Sequence, residues 1–168
     1  LFIEYFNRHP EMKLIIAPHV VNDSHLAWIE SKLNRPSIRY TRALGTGADL
    51  SRVDCLIIDC YGLLSSIYRY GEVSYVGGGF GVGIHNVLEA AVYGIPVLFG
   101  PNNQRFREAR QLLSEGGAFE IHDITDFNAT MDRLFTDEAL LCQSGECAGH
   151  YVNDNAGAAD AVLAAIKL

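Results

Sequence analysis

The sequence predicts an α/β fold, a Rossmann-like three-layer αβα domain with a mostly parallel six-stranded sheet. Two observations support this prediction. Short apolar runs alternate with amphipathic stretches, and the composition, with 49% hydrophobic and 20% charged residues, is that of a globular chain. The 168 residues suffice for one ordinary domain. Because we find no internal repeat and no low-complexity linker, we predict a single domain over residues 1–168.

Six short runs of mainly apolar residues predict the strands. They cover residues 14–16, 38–40, 55–58, 73–76, 96–99 and 118–121. Pro18 ends the first run. Pro96 stands at the first position of the fifth, where no ladder hydrogen bond is lost.

Apolar residues recur at helical spacing around these runs. The predicted helices cover residues 2–6, 26–33, 63–68, 86–93, 105–113, 126–135, 137–150 and 156–167, and a loop is expected at 45–49. Asn22, Asp23 and Ser24 offer caps for the second helix, and Gly94 closes the fourth. Such an alternating series predicts parallel strands joined by right-handed crossovers.

Ligands of parallel sheets bind beyond the carboxyl ends of the strands, so the segments that follow the strands are the candidate site. These segments are residues 18–19, 59–62, 77–83 and 100–103, and they concentrate Gly, Pro, His, Asp and Asn. We expect all four segments to line one edge of the sheet.

The sharpest feature is a run in which five of seven residues are glycine. These are Gly77, Gly78, Gly79, Gly81 and Gly83. Glycine lets backbone N–H groups approach an anion closely, and the N-terminus of the following helix adds about half a positive charge. The run therefore predicts a phosphate cradle. A flexible surface loop without a ligand is the alternative.

Two common phosphate motifs are missing from the sequence. No G-x-x-x-x-G-K-[ST] occurs, because no glycine precedes a lysine. No G-x-G-x-x-G occurs either, since Val82, Ile84 and Asn86 stand where the third glycine would have to be. Both a P-loop NTPase and a dinucleotide oxidoreductase are therefore disfavoured.

Asn86 and Glu89 admit two interpretations. With Asn86 as N-cap, Asn-x-x-Glu resembles a capping box, in which Glu89 accepts from the Asn86 N–H. In the functional interpretation, Glu89 accepts hydrogen bonds from two ribose hydroxyls, while Asn86 and His85 donate to phosphate or sugar oxygens. Asp59 is either a cap for the next helix or a polar contact near the base. His19 is either a surface residue or part of the site.

Composition excludes some classes of function. A formal net charge of −7 disfavours nonspecific nucleic-acid binding. No apolar run approaches the length of about 20 residues that a membrane span needs. The four cysteines form two C-x4-C pairs without zinc-finger spacing, and we expect them to be reduced. The chain begins at Leu1 inside a predicted helix, which we interpret as a fragment of a longer protein.

Several motifs together resemble the C-terminal domain of 3-deoxy-D-manno-octulosonate (Kdo) transferases, which glycosylate lipid A. They are Tyr75-Val76-Gly77-Gly78-Gly79, Gly83-Ile84-His85-Asn86-Val87-Leu88-Glu89-Ala90-Ala91, Gly94-Ile95-Pro96-Val97-Leu98-Phe99-Gly100-Pro101, Phe106-Arg107-Glu108-Ala109, Ala17-Pro18-His19 and Ile57-Ile58-Asp59-Cys60-Tyr61-Gly62. Cys60 and Leu63 depart from the pattern, because the family has Thr and Glu there.

The resemblance implies the C-terminal half of a GT-B fold, with CMP-Kdo as the donor substrate and with no cofactor or metal. The expected binding residues are Pro18, His19, Asp59, Gly62, Gly77, Gly78, Gly79, Gly81, Gly83, His85, Asn86 and Glu89. No catalytic residue is expected in this chain, which should be inactive alone.

A missing N-terminal domain is expected to supply the general base, the contact with a lipid A precursor and the contact with the membrane. The full enzyme would act in lipopolysaccharide biosynthesis at the cytoplasmic face of the bacterial inner membrane. The alternatives are a UDP-sugar transferase or epimerase of related architecture and a non-catalytic nucleotide-binding module.

Overall fold

A computed structural model describes residues 1–47 and 49–166 and confirms the α/β fold with parallel strands. Two compact units follow each other along the chain, Leu1–Ile67 and the residues from Tyr68 onward. The six predicted strands are all present, but they pair as two three-stranded sheets rather than as one six-stranded ladder. Residue 48 of the predicted loop 45–49, residue 167 of the predicted helix 156–167, and residue 168 lie outside the described residues.

The first unit alternates helices and strands. Its elements are α1 (Phe2–Arg8), β1 (Leu14–Ile16), α2 (Asp23–Lys32), β2 (Ser37–Arg39), α3 (Tyr40–Thr46), a 3-10 turn (Leu50–Arg52), β3 (Cys55–Ile57) and α4 (Leu64–Ile67). The parallel strands lie in the order β1-β3-β2, so β3 is the central strand and pairs with a neighbour on each side. Helix α3 was not predicted, and it extends into the expected loop 45–49.

Apolar side chains from α1 and α2 cover this sheet. The buried core consists of Phe6, Leu14, Leu26, Ile29, Cys55 and Ile57. Burial raises the pKa of the Cys55 thiol to about 12, so this sulfur stays protonated at neutral pH.

Polar side chains bind the start of α2 and the end of α1 in the first unit. The Asn22 side chain accepts a hydrogen bond from the His25 N–H at 2.8 Å and caps α2, as predicted. The Arg35 guanidinium donates to the carbonyl oxygens of Phe6 and His9, at 3.1 and 2.8 Å, in addition to the backbone N–H groups of His9 and Met12 that these oxygens already accept from, and so it ties down the end of α1.

The second unit continues the alternation and ends in three helices. Its elements are a 3-10 turn (Tyr68–Tyr70), β4 (Ser74–Val76), α5 (Leu88–Ala91), β5 (Val97–Phe99), α6 (Arg107–Glu115), β6 (Ala118–Glu120), α7 (Ile124–Thr136), α8 (Glu138–Asp154) and α9 (Ala158–Ala165). The strands are parallel in the order β4-β5-β6. The predicted helix 86–93 is shortened to α5, and the predicted helix 63–68 is divided between α4 and the 3-10 turn.

Strand β5 is the centre of the second unit. Its three residues Val97, Leu98 and Phe99 are all fully buried. Helix α8 packs against α5, α6 and α7. Gly145 lies against the turn that ends α5, where an added Cβ would come within 2.3 Å of the Gly94 carbonyl oxygen. The small residue is therefore required for this helix to approach the turn.

Asp59, at the carboxyl end of β3, explains why α3 forms. Its two carboxylate oxygens accept from the Thr41 N–H at 2.9 Å and from the Thr41 hydroxyl at 2.5 Å. This pair satisfies a free donor in the first turn of α3. Asp59 is thus a cap, as one of the two interpretations had it, but for the helix that precedes it in the chain.

We predict opposite effects of alanine at two helical glycines. Gly45→Ala in α3 meets no atom within 4 Å, so it should stabilise the chain by up to about 1 kcal/mol through helix propensity. Gly145→Ala gains the same propensity but collides with Gly94, and we expect a net loss of about 1–3 kcal/mol. Urea unfolding followed by circular dichroism measures both. Equal stabilities of Gly145→Ala and the wild type would contradict the close contact.

A second prediction concerns Asp59→Asn, which should lower the free energy of unfolding by about 1 kcal/mol. Partial burial alone would raise the pKa of Asp59, but the hydrogen bonds from Thr41 outweigh it and lower that pKa. The stabilisation is therefore complete above about pH 4, the value of the unfolded carboxyl, and is lost as the pH falls through the lower folded value.

Urea unfolding at several pH values tests this, with Thr41→Val as the matched variant because it removes only the hydroxyl. In the Thr41→Val background, Asp59→Asn should cost less than in the wild type. A stability difference between the wild type and Asp59→Asn that persists unchanged at pH 2 would contradict the assignment.

Candidate functional site

Two loops form the candidate site of the second unit, and they follow the carboxyl ends of β4 and β5. Because these strands are parallel neighbours, the loops emerge side by side. They touch through their backbones. A Cβ at Gly79 would lie 2.5 Å from the Gly100 nitrogen, and a Cβ at Gly100 would lie 2.6 Å from the Gly79 carbonyl carbon. Glycine at both positions is therefore a steric requirement.

The glycine-rich segment closes on itself. Gly78 has a φ of 91°, and its carbonyl oxygen accepts from the N–H groups of Gly81 at 2.9 Å and Gly83 at 3.3 Å. The His85 N–H donates to the Gly77 carbonyl oxygen at 3.1 Å. These three N–H groups are consequently not available to a ligand in this conformation. The predicted phosphate cradle therefore has fewer N–H donors than the sequence suggested.

Asn86 and Glu89 interact through their side chains. The Asn86 Oδ1 accepts from the Leu88 N–H at 3.0 Å, and the Asn86 Nδ2 donates to the Glu89 Oε1 at 3.1 Å. Helix α5 begins at Leu88, so Asn86 precedes the N-cap position, which is Val87. The predicted capping box is therefore replaced by a link in which Glu89 binds the amide side chain of Asn86 instead of its backbone N–H.

A cavity of about 360 Å³ opens beside the start of α5. It is lined by Ile84, His85, Asn86, Val87, Leu88, Phe106 and Glu108. This volume is in the lower part of the range of small-molecule pockets. Apolar walls with a few polar groups are typical of small-molecule sites.

Phe106 and Glu108 line the cavity from a part of the chain to which no site role was assigned from the sequence. They stand at the beginning of α6, which follows the second loop, and they belong to one of the motifs that carry the family resemblance. That motif was the only sign in the sequence that these two residues belong to the site. They lie about 20 residues from Asn86 along the chain, so their closeness in space cannot be seen from the sequence.

Tyr68 lies near Glu89. Burial, and after it the Glu89 carboxylate, raise the pKa of the Tyr68 phenol, so this hydroxyl stays protonated and remains a hydrogen-bond donor.

The remaining predicted residues lie in the first unit. Pro18 and His19 follow β1, while Asp59 and Gly62 follow β3, the neighbouring strand, so both segments belong to one carboxyl edge. His19 and Gly62 are exposed, and Gly62 has a φ of 89°. Asp59 is engaged with Thr41. The structure thus collects the predicted residues into two groups, one at the carboxyl edge of each sheet.

A larger hollow of about 480 Å³ lies elsewhere in the second unit, between the end of α5 and α8. Gly94, which lines it, leads into the amino end of β5. Ligands of parallel sheets sit at the opposite, carboxyl edge. We therefore assign the candidate site to the smaller cavity.

Across residues 1–47 and 49–166, no three His, Cys, Asp or Glu side chains are grouped so that they could hold a metal ion. In the same part of the chain, no helix has the length and hydropathy for crossing a membrane.

Comparison with known proteins identifies relatives of the sequence, although no protein-family model matches it. A 3-deoxy-D-manno-octulosonic acid transferase of Aquifex aeolicus (strain VF5) is 33% identical over 85 residues, which cover 49% of this chain and 24% of the relative. The transferase of the same description from Chlamydia pneumoniae is 32% identical over 115 residues, covering 67% of this chain and 26% of the relative. The chain therefore spans about a quarter of the length of these relatives.

A solved structure confirms the fold. The C-terminal CMP-Kdo binding domain of WaaA from Acinetobacter baumannii superposes with a TM-score of 0.65 at 22% identity, covering 86% of this chain and 77% of that domain. The chain is accordingly a relative of the 3-deoxy-D-manno-octulosonic acid transferases, with the fold of a C-terminal CMP-Kdo binding domain.

Proposed function

We propose that this chain is the donor-binding domain of a glycosyltransferase that transfers Kdo from CMP-Kdo to a lipid A precursor. The names of its relatives and of the domain that shares its fold support this choice of donor. The single observation that carries it in this chain is the hydrogen bond by which Asn86, a lining residue of the cavity at the start of α5, holds the Glu89 carboxylate.

Glu89 is suited to bind a ribose. Its Oε1 is held by the Asn86 side chain at 3.1 Å. In the described part of the chain its Oε2 accepts no hydrogen bond. A carboxylate oriented in this way can accept from the vicinal hydroxyls of a ribose, and the adjoining cavity has room for the rest of a nucleotide.

The proposed reaction is attack of an acceptor hydroxyl on the anomeric carbon of Kdo, with CMP as the leaving group. This domain would hold CMP and stabilise the phosphate charge that develops as the bond to the sugar breaks, an electrostatic contribution made by oriented donors. The general base, the site for the lipid A precursor and the membrane contact would belong to other parts of a full-length transferase. We propose that this enzyme works at the cytoplasmic face of the bacterial inner membrane.

We predict that the chain binds CMP more tightly than UMP or UDP and forms no product by itself. Isothermal titration calorimetry with the three nucleotides measures the preference. A clear preference for UDP would replace the proposal by a UDP-sugar enzyme of the same fold. Failure to bind any of the three nucleotides would refute donor binding.

We predict further that Glu89→Gln weakens CMP binding by about 10- to 100-fold, because a charged hydrogen-bond acceptor is lost, while the melting temperature changes little. The wild type should also bind 2′-deoxy-CMP less tightly than CMP, and Glu89→Gln should remove most of that difference. Calorimetry and thermal unfolding test both statements.

Glu115→Gln is the matched control, because Glu115 is an exposed residue at the end of α6 and, in the described structure, makes no hydrogen bond to a residue that lines the cavity. It should bind CMP like the wild type. If Glu89→Gln instead loses stability and keeps its affinity for CMP, Glu89 serves only to hold Asn86.

A further inference from the structure

The peptide groups of the glycine-rich segment have alternating orientations. Two of its N–H groups, those of Gly81 and Gly83, turn inward and donate to the Gly78 carbonyl oxygen. The two peptides that alternate with these, Gly79–Phe80 and Gly81–Val82, are held from outside the segment by a residue of the neighbouring loop.

That residue is Asn102, which follows β5. Its backbone N–H donates to the Gly79 carbonyl oxygen at 2.9 Å, and its side-chain Nδ2 donates to the Gly81 carbonyl oxygen at 2.6 Å. Two carbonyl groups of the segment therefore point at one asparagine. The backbone contact between Gly79 and Gly100 keeps the two loops close enough for both bonds.

The orientation of each carbonyl fixes that of the next N–H. In a trans peptide the C=O and the N–H point in opposite directions, and the chain has no cis bond among its described residues. Because the Gly79 and Gly81 carbonyls face Asn102, the N–H groups of Phe80 and Val82 face away from it. Both residues are exposed, and in the part of the chain that the structure describes neither N–H donates a hydrogen bond.

We propose that Asn102 is a positioning residue for the nucleotide phosphate, and that the donors it orients are the N–H groups of Phe80 and Val82. This inference rests on the proposed function, since the phosphate is that of CMP. It also changes which N–H groups are expected to bind the phosphate. Phe80 and Val82, the two residues of the segment that are not glycine, supply the free donors. The N–H groups of Gly81 and Gly83 instead donate to Gly78 and close the turn.

The two bonds made by Asn102 differ in a way that allows a sharp test. Asn102→Ala removes the side-chain bond to Gly81 but keeps the backbone bond to Gly79. The peptide that carries the Val82 N–H is then released, whereas the peptide that carries the Phe80 N–H is still held. A role confined to general stability would not separate the two amides.

The test is a titration of the ¹⁵N-labelled chain with CMP and with cytidine, followed by amide NMR. In the wild type, CMP should shift the amide protons of Phe80 and Val82 downfield, and cytidine should leave them in place. Asn102→Ala should lose the shift of Val82 and keep that of Phe80. Its affinity for CMP should fall about three- to tenfold, while its affinity for cytidine stays the same.

Gln104→Ala is the matched control in the same loop. The Gln104 side chain accepts from Arg110 at 3.0 Å and makes no bond to the glycine-rich segment in the described structure. It should titrate like the wild type. If Asn102→Ala fails to fold, Asn102→Asp offers a variant of equal size without the Nδ2 donor, and the wild-type shift pattern itself still decides.

The outcomes separate the inference from the proposed function. A wild type that binds CMP, together with an Asn102→Ala variant of unchanged affinity and shifts, overturns the positioning role alone. So does a wild-type pattern in which Gly81 and Gly83 shift instead of Phe80 and Val82. A wild type that binds neither CMP nor cytidine overturns the proposed function, and the positioning role with it.

Discussion

Complete burial of β5 is the constraint from which the second unit follows. With Val97, Leu98 and Phe99 fully buried, the backbone of this strand has no water to bind. Its N–H and C=O groups must pair with β4 and β6, because an unpaired buried polar group is costly. That pairing brings the loops after β4 and β5 to the same edge. Their closeness is so great that only glycine fits at Gly79 and Gly100.

The candidate site inherits its geometry from this edge. Asn102 reaches the glycine-rich segment only because the two loops touch, and its hydrogen bonds set which peptide groups turn inward and which turn outward. An array of donors that is oriented before the ligand arrives has no reorganisation cost at the moment of reaction. This is the property expected of a domain whose proposed task is to hold a phosphate that becomes more negative as it leaves.

Holding the Asn86 side chain and binding a ligand are compatible roles for Glu89. The two interpretations of the Asn-x-x-Glu motif look like alternatives in the sequence, but a carboxylate has two oxygens. One is held by the Asn86 side chain, and Asn86 in turn accepts from the Leu88 N–H at the start of α5. Asp59 contrasts with Glu89, since Thr41 engages both of its oxygens. The two carboxylates thus differ in how many of their acceptor oxygens the fold already occupies.

The sequence by itself determined the elements that depend on local composition. Apolar runs located the six strands, Asn22 marked the beginning of α2, and the motif from Gly83 to Ala91 pointed to the Kdo transferases and to the carboxyl edge of β4. These signals are read over a few neighbouring residues, where burial pattern and capping chemistry are decided.

Only the tertiary structure decided the pairing of the strands into two sheets, the existence of α3, and the choice of which N–H groups in the glycine-rich segment are free. Asp59 holds Thr41 from 18 residues away, and Asn102 holds Gly81 from 21 residues away. The direction of a peptide group depends on such distant partners, and composition within the segment does not contain that information.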